Sequence, residues 1–336
     1  MKIIILLSVL KLTFAGLAVR EDPIEITNFD TPSAEMDMDD ELSEEAFEMQ
    51  FGEDPIDDPE EMERRAEALK EREEEIKEEN EEFLEGEKEW FDKIDEYSDL
   101  PEDEFEAERT GDADDNTYAR GLLTPEIVPV DEESERYFDT FRYSRSEAPS
   151  QYNSVDLGYV TQVKNQKQCG SCVAFSNMAA IEVCFKKLTG SDGDYSEQQL
   201  VDCGYEKNGA SGCNGAYTYS YLKTVADSGL GLTHESNYPY LNTDPNLYCP
   251  SGLETYNQGA KVTGSYFTYD GDENLLKKLV AENGAVVTSV KAAGEFQSYS
   301  GGIFAGCTSD ETDHAVTVVG YGESNGEPYW LIKNSW

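Results

Sequence analysis

Hydrophobic positions are spread very unevenly along this 336-residue chain. An apolar run, Ile3 to Leu10, opens it behind Lys2, and Phe14 to Ala18 closes in small residues. Residues 19–45 hold few large apolar groups among Asp, Glu, Pro and Ser, and are expected to stay disordered. Residues 57–88 are rich in strong helix formers with no Gly before Gly86, which predicts one long helix. In it Glu61, Arg65, Leu69, Arg72, Ile76 and Asn80 recur at helical spacing and share one face, with Glu61 a turn before Arg65 for an ion pair. Residues 106–147 are acidic and irregular, an expected connector. Beyond Ala148-Pro149 the pattern turns globular. Cys172–Lys187 predicts a helix packed through Ala174, Phe175, Ala179, Ile181 and Val183 and stopped by Gly190. Residues 196–203 and 214–227 predict two more. From about residue 260 the pattern changes to strands, with β-rich runs at 286–290, 315–319 and 329–333 bounded by Gly. Helices first and strands later predict an α+β fold of two subdomains.

Charge sharpens this division. Residues 1–147 hold 50 of the 71 acidic side chains and 15 of the 26 basic ones, a net of −35, whereas residues 148–336 carry −10 and no Arg. No basic patch is available for phosphates, so nucleic acid is excluded as a partner. Residues 1–18 read as a secretory signal, too short to span a bilayer and interrupted by Lys11. No other stretch approaches a membrane span. The secretory pathway, with a lysosome or other acidic endomembrane compartment or the cell exterior as destination, follows as the expected location. All seven cysteines fall between 169 and 307, and the odd count suggests a reactive free thiol.

The candidate chemistry is nucleophilic. Only two histidines occur, His234 and His314. Cys172 opens a predicted helix, where exposed amides and the helix dipole favour a thiolate. His314 starts a predicted strand that fixes its direction. Asn334 follows another strand and can orient the imidazole. Gln166 offers a side-chain N–H, and Cys172 its backbone N–H, to a developing oxyanion. A Cys169/Cys172 redox pair leaves Gln166, His314 and Asn334 unexplained. Zinc needs a second close ligand pair that the spacings lack. No metal or cofactor is expected.

Three separated motifs resemble those of papain-like cysteine peptidases of the cathepsin L type: Val163–Ser176 around Cys172, Asp313–Gly322 around His314, and Lys333-Asn334-Ser335-Trp336. Cys203-Gly204, Gly212-Cys213-Asn214-Gly215 and Tyr238-Pro239-Tyr240 are similar to that family's landmarks in the same order. The face at 61–80 resembles its propeptide motif, with Leu69 and Arg72 as substitutions, and Asp95, Tyr97 and Asp99 resemble the short motif that follows. The resemblance implies a two-lobed fold, with a helical left lobe and an antiparallel, barrel-like right lobe, behind a mainly helical propeptide. It implies a signal at 1–18, an acidic segment at 19–45, an inhibitory propeptide at 46–105, a tail at 106–147 that blocks the cleft, and a peptidase region at 148–336. It implies Cys172 as nucleophile, His314 as base, Asn334 as orienting group and Gln166 as oxyanion donor. Gly215, Ala216, Tyr217, Thr312 and Asp313 would bind substrate, with Thr218 at the pocket rim. Disulfides Cys169–Cys213 and Cys203–Cys249 follow from the same resemblance. Cys184 is expected as a buried free thiol. Cys307 resembles a cysteine whose partner lies beyond Trp336, so the region is expected to be incomplete at its C-terminal end.

Implied, then, is a monomeric endopeptidase made as an autoinhibited zymogen, acting on proteins or peptides with its own propeptide as intramolecular inhibitor. No loop with paired histidines is present to favour a carboxydipeptidase. The family's pattern is broken at Val173 in place of Trp, at Ala216 in place of a substrate-pairing Gly whose added methyl is expected to narrow the cleft, and at Val155-Asp156-Leu157 in place of Asp-Trp-Arg. These departures bear on subsite preference, and they define the alternative: a weak or inactive binding protein on the same fold.

Overall fold

The computed structural model describes residues 7–11, 59–95, 97–111, 136–137, 139–140, 142–144, 146–242, 249–250, 261–262, 264–268, 272–292, 294, 296–306 and 312–336. The expected disordered stretch at 19–45, most of the leader, the connector's 112–135 and Cys307 lie outside them. The chain divides into two compact units: residues 1–19, 106–293 and 306–336 form the first, and residues 20–105 and 294–305 the second.

The second unit is built on α1 (Pro59–Glu85). Its periodic face turns inward: Ile76 and Asn80 are buried, and Asn80 exchanges two hydrogen bonds with the backbone of Asp92, at 2.9 and 3.0 Å. Arg65 bonds Glu61 a turn earlier at 2.9 Å and reaches Asp99 at 3.2 Å. Arg72, a departure from the family pattern, donates to Gln297 Oε1 at 3.1 Å. Strand β2 (Trp90–Asp92) pairs antiparallel with β6 (Tyr299–Gly302), and Trp90 meets Phe304 edge-on. Helix α2 (Glu102–Arg109) follows, with residues 102–105 in this unit and residues 106–109 in the first.

The first unit sets helices against an antiparallel sheet. Its central helix α3 (Cys172–Thr189) is buried over its first fourteen residues, the polar Ser176, Asn177 and Glu182 included. Gly190 ends it at φ 73°, its N–H bonding Lys186 O at 2.8 Å. Helix α4 (Glu197–Gly204) is capped by Ser196, whose hydroxyl accepts from Gln199 N. Helix α5 spans Ser220–Ser228 only. Residues 214–219, expected as helix, are turn and bridge: Asn214 pairs with Gly170, and Gly215 sits at φ 102°. The cysteines bond as Cys169–Cys213 and Cys203–Cys249, and Cys172 and Cys184 are free and buried.

The sheet runs β3 (Tyr152–Asn153), β7 (His314–Ser324), β5 (Val286–Val290), β1 (Leu7–Lys11), β4 (Gly264–Thr268), with β8 (Glu327–Lys333) also paired to β7. Two features go beyond the expected strands. The run read as a leader forms β1, pairing Leu7 to Lys11 with Thr268 to Gly264 and Ser8 with Val287. A five-residue extended segment thereby satisfies two neighbouring strand edges. A helix, α6 (Glu273–Asn283), also interrupts the strand-rich region; Asp272 caps it, Gly284 stops it, and Leu275, Leu276, Leu279 and Val280 are buried from it. Among the described residues no helix is long and apolar enough to cross a membrane, and no cluster of three potential metal-ligating side chains occurs.

Candidate active site

Cys172 is the first residue of α3, and no acidic side chain lies in that first turn to oppose the dipole's positive end. Its Sγ accepts the N–H of Ala315 at 3.4 Å, which brings the sulfur to the start of β7, beside His314. His314 is fully buried. Its Nε2 meets Asn334 Oδ1 at 2.7 Å, which holds the other ring nitrogen, Nδ1, away from Asn334, and Nδ1 has no hydrogen-bond partner. Burial lowers the imidazole pKa, against an opposing upward pull from the Asn334 bond and the Asp313 charge. Trp336 covers the ring at a centroid distance of 4.6 Å. Asn334 is fixed in turn by Ser335 N, which donates to the same Oδ1 at 2.8 Å. His314 and Asn334 thus come from β7 and the end of β8, which pair antiparallel.

Gln166 is buried and held on both sides of its amide. Ser335 Oγ donates to its Oε1 at 2.7 Å, leaving Nε2 to donate to Cys169 O at 3.0 Å and Arg109 O at 2.9 Å. The last contact exposes what the sequence left unlocated. Residues 109–111 lie across the site: Gly111 N donates to Asp313 O at 3.1 Å, and Ala216 N donates to Gly111 O at 2.9 Å. The groove therefore holds a peptide backbone by three hydrogen bonds, one accepted by Asp313 O and two donated by Gln166 Nε2 and Ala216 N. Ala216 keeps this N–H available, and its methyl packs in the buried core cluster, in place of the narrowing expected from it. The cradle needs bare backbone elsewhere: a Cβ on Gly215 would come within 2.6 Å of Gly111 O, and one on Gly170 within 2.7 Å of Thr110 O.

Of the other candidates, Thr312 and Asp313 are buried beside His314, while Tyr217 stacks on Tyr219 at 5.7 Å and Thr218 O accepts from Asn177. His234 lies elsewhere, its Nδ1 at 3.2 Å from Asp194 O. Three groups escaped the sequence reading: Ser335 and Trp336 lay inside a motif but carried no role, and Lys291 gave no signal at all. Lys291 Nζ bonds Asp313 Oδ2 at 2.6 Å, and Ala292 N bonds Oδ1 at 2.7 Å.

A thiol at a helix start, an imidazole at a strand start, an amide fixing the ring and a second amide facing the bound carbonyl define the cysteine-nucleophile class. The comparisons agree. The model of the papain family cysteine protease matches residues 148–336, and the chain belongs to that family. It is 36% identical over 247 residues to the senescence-specific cysteine protease SAG12 of Arabidopsis thaliana, covering 72% of this chain and 66% of that protein. To human cathepsin L2 it is 43% identical over 186 residues, covering 53% and 54%. Among solved structures, digestive procathepsin L 3 of Tenebrio molitor superposes with a TM-score of 0.68 at 30% identity over 84% of each chain. The proform of the ragweed protease Amb a 11 gives 0.71 at 28% identity, over 88% of this chain and 77% of that one. The chain spans about half to two thirds of the length of the curated relatives it matches.

Proposed function

We propose that this chain is the latent precursor of a cysteine endopeptidase, with Cys172 as nucleophile, His314 as base and residues 109–111 as built-in occupant of the substrate groove. The observation that carries this is the grip of Gln166, Asp313 and Ala216 on the backbone of Arg109 and Gly111. A site that grips a peptide through its main chain can take others of different sequence.

In the reaction, His314 Nδ1 removes the Cys172 proton, and the thiolate attacks the scissile carbonyl carbon. Gln166 Nε2 and the Cys172 backbone N–H receive the developing oxyanion, an arrangement worth about 10²–10³ in rate per donor. The protonated His314 gives its proton to the leaving amine, and the acyl thioester forms. A water, deprotonated by His314, then attacks the thioester and releases the acid and the thiolate. Asn334 holds the ring in register throughout. The precursor enters the secretory pathway behind the leader at residues 1–18, and acid processing removes the segment that includes residues 109–111.

The test is hydrolysis of internally quenched peptides before and after acid treatment of the secreted precursor. The expected result is a latent precursor, an active processed form, and no activity in Cys172→Ser, which remains folded. Residual hydrolysis in Cys172→Ser would overturn the assignment, and a processed form that binds peptides without cutting them would favour a binding protein.

A further inference from the structure

Among the described residues, Lys291 is a cation beside Asp313 that the catalytic scheme does not use. It sits just beyond β5, a quarter exposed, with its ammonium on the buried carboxylate of Asp313. That carboxylate also takes the Ala292 amide, so part of its charge is met by backbone. The water-facing member of the pair is the cation. In this structure a second carboxylate approaches it: Glu106 Oε1 lies 3.8 Å from Nζ. Glu106 precedes Arg109, whose carbonyl faces the oxyanion donor Gln166, while Gly111, on the other side of Arg109, bonds Ala216. Along the bound segment, Glu106 therefore lies on the side of the reacting carbonyl opposite Ala216. We take Ala216, which stands in place of the family's substrate-pairing Gly and here bonds Gly111, to pair with substrate residues before the scissile bond; the Glu106 side is then the side that receives residues after it.

We propose that Lys291 forms a cationic subsite for an acidic side chain on the leaving-group side of the scissile bond, filled by Glu106 in the precursor. The inference rests on the peptidase reading. Its basis is the geometry of the Glu106–Lys291–Asp313 row beside His314. A carboxylate placed there gains a partly desolvated ion pair, and an ammonium placed there is repelled, so the discrimination appears as a difference between substrates.

The test uses the processed enzyme and quenched peptides identical except for Glu, Gln or Lys at the first or second position after the scissile bond. Wild type is expected to favour Glu over Lys by about tenfold in kcat/KM at one of these positions. Lys291→Gln is expected to abolish the preference, Lys291→Glu to invert it, and Lys291→Arg to retain it. Each comparison is a ratio within one variant, so a general loss of folding or rate leaves it readable. A cation that serves only to hold Asp313 would change all peptides equally; that outcome, or equal cleavage of the three peptides by wild type, overturns the subsite. Failure of wild type to cut any peptide would overturn the peptidase reading and the subsite with it.

Discussion

A methyl group on Gly111 would overlap the carbonyl of Gly170, because the bound segment passes against bare backbone there. Latency should therefore be sensitive to this one residue. Gly111→Ala is expected to weaken the segment's hold by roughly 1–3 kcal/mol and to give an unprocessed precursor that hydrolyses peptides measurably faster than wild-type precursor. Gln166 makes the complementary case. Its Oε1 is anchored by Ser335, so Nε2 is pre-aimed, and Gln166→Ala is expected to lower kcat by about 10²–10³ with little change in KM, as read by steady-state kinetics. At this scale most of the site was legible in the sequence, since Cys172, His314, Asn334 and Gln166 lie in short motifs of unusual composition. The resemblance implied a tail at 106–147 that blocks the cleft, but nothing in Arg109-Thr110-Gly111 marks these residues as the occupant until Gly170, Asp313 and Ala216 surround them. Lys291 was silent because its partner carboxylate is 22 residues away.

Among the elements, α1 shows how a weak periodic signal becomes structure. Its spaced face is the face that packs, and Asn80 satisfies both the N–H and the C=O of Asp92 in the interior. Asn80→Ala leaves both unpaired and is expected to cost about 1–3 kcal/mol or more, seen as an earlier urea transition of the second unit in the Cys172→Ser precursor. Residues 214–219 and helix α6 depart from the sequence reading for local reasons. Residues 214–219 have helix-compatible neighbours, but a disulfide at Cys213 and the left-handed Gly215 hold them as a turn against Gly170. Helix α6 was overlooked because β-rich runs flank it, although Leu275, Leu276, Leu279 and Val280 carry a helical interval between an Asp cap and a Gly stop. The leader's apolar run reads alike as signal or strand, since both need little more than extended hydrophobicity. N-terminal sequencing of the secreted precursor is expected to begin near residue 19; recovery of β1 on the secreted chain would show that this run is retained as a strand.

Over the whole molecule, buried charge shapes the response to pH. Lys164 in the first unit holds Glu182 at 3.1 Å and Glu197 at 2.8 Å. Burial pushes the Glu197 carboxyl up to about 8 from 4.5, although Lys164 pulls it down. The folded chain therefore keeps a proton in that window which the unfolded chain releases, and stability falls as pH rises through it. Glu197→Gln is expected to flatten the decline in Tm between pH 5 and pH 8, as measured by calorimetry. A chain that is steadier in acid suits the acid processing proposed above.

The account's centre is the pairing of the Cys172 sulfur with the His314 ring, and the pH dependence of alkylation reads it directly. Cys184, whose thiol burial pushes up to about 11, is the internal control. In the processed enzyme, iodoacetamide is expected to modify Cys172 with a rate that holds down to about pH 5, and that in His314→Ala falls away below the ordinary thiol range. A Cys172 that reacts in wild type only as an isolated thiol does, with a single rise near pH 8–9, would contradict it.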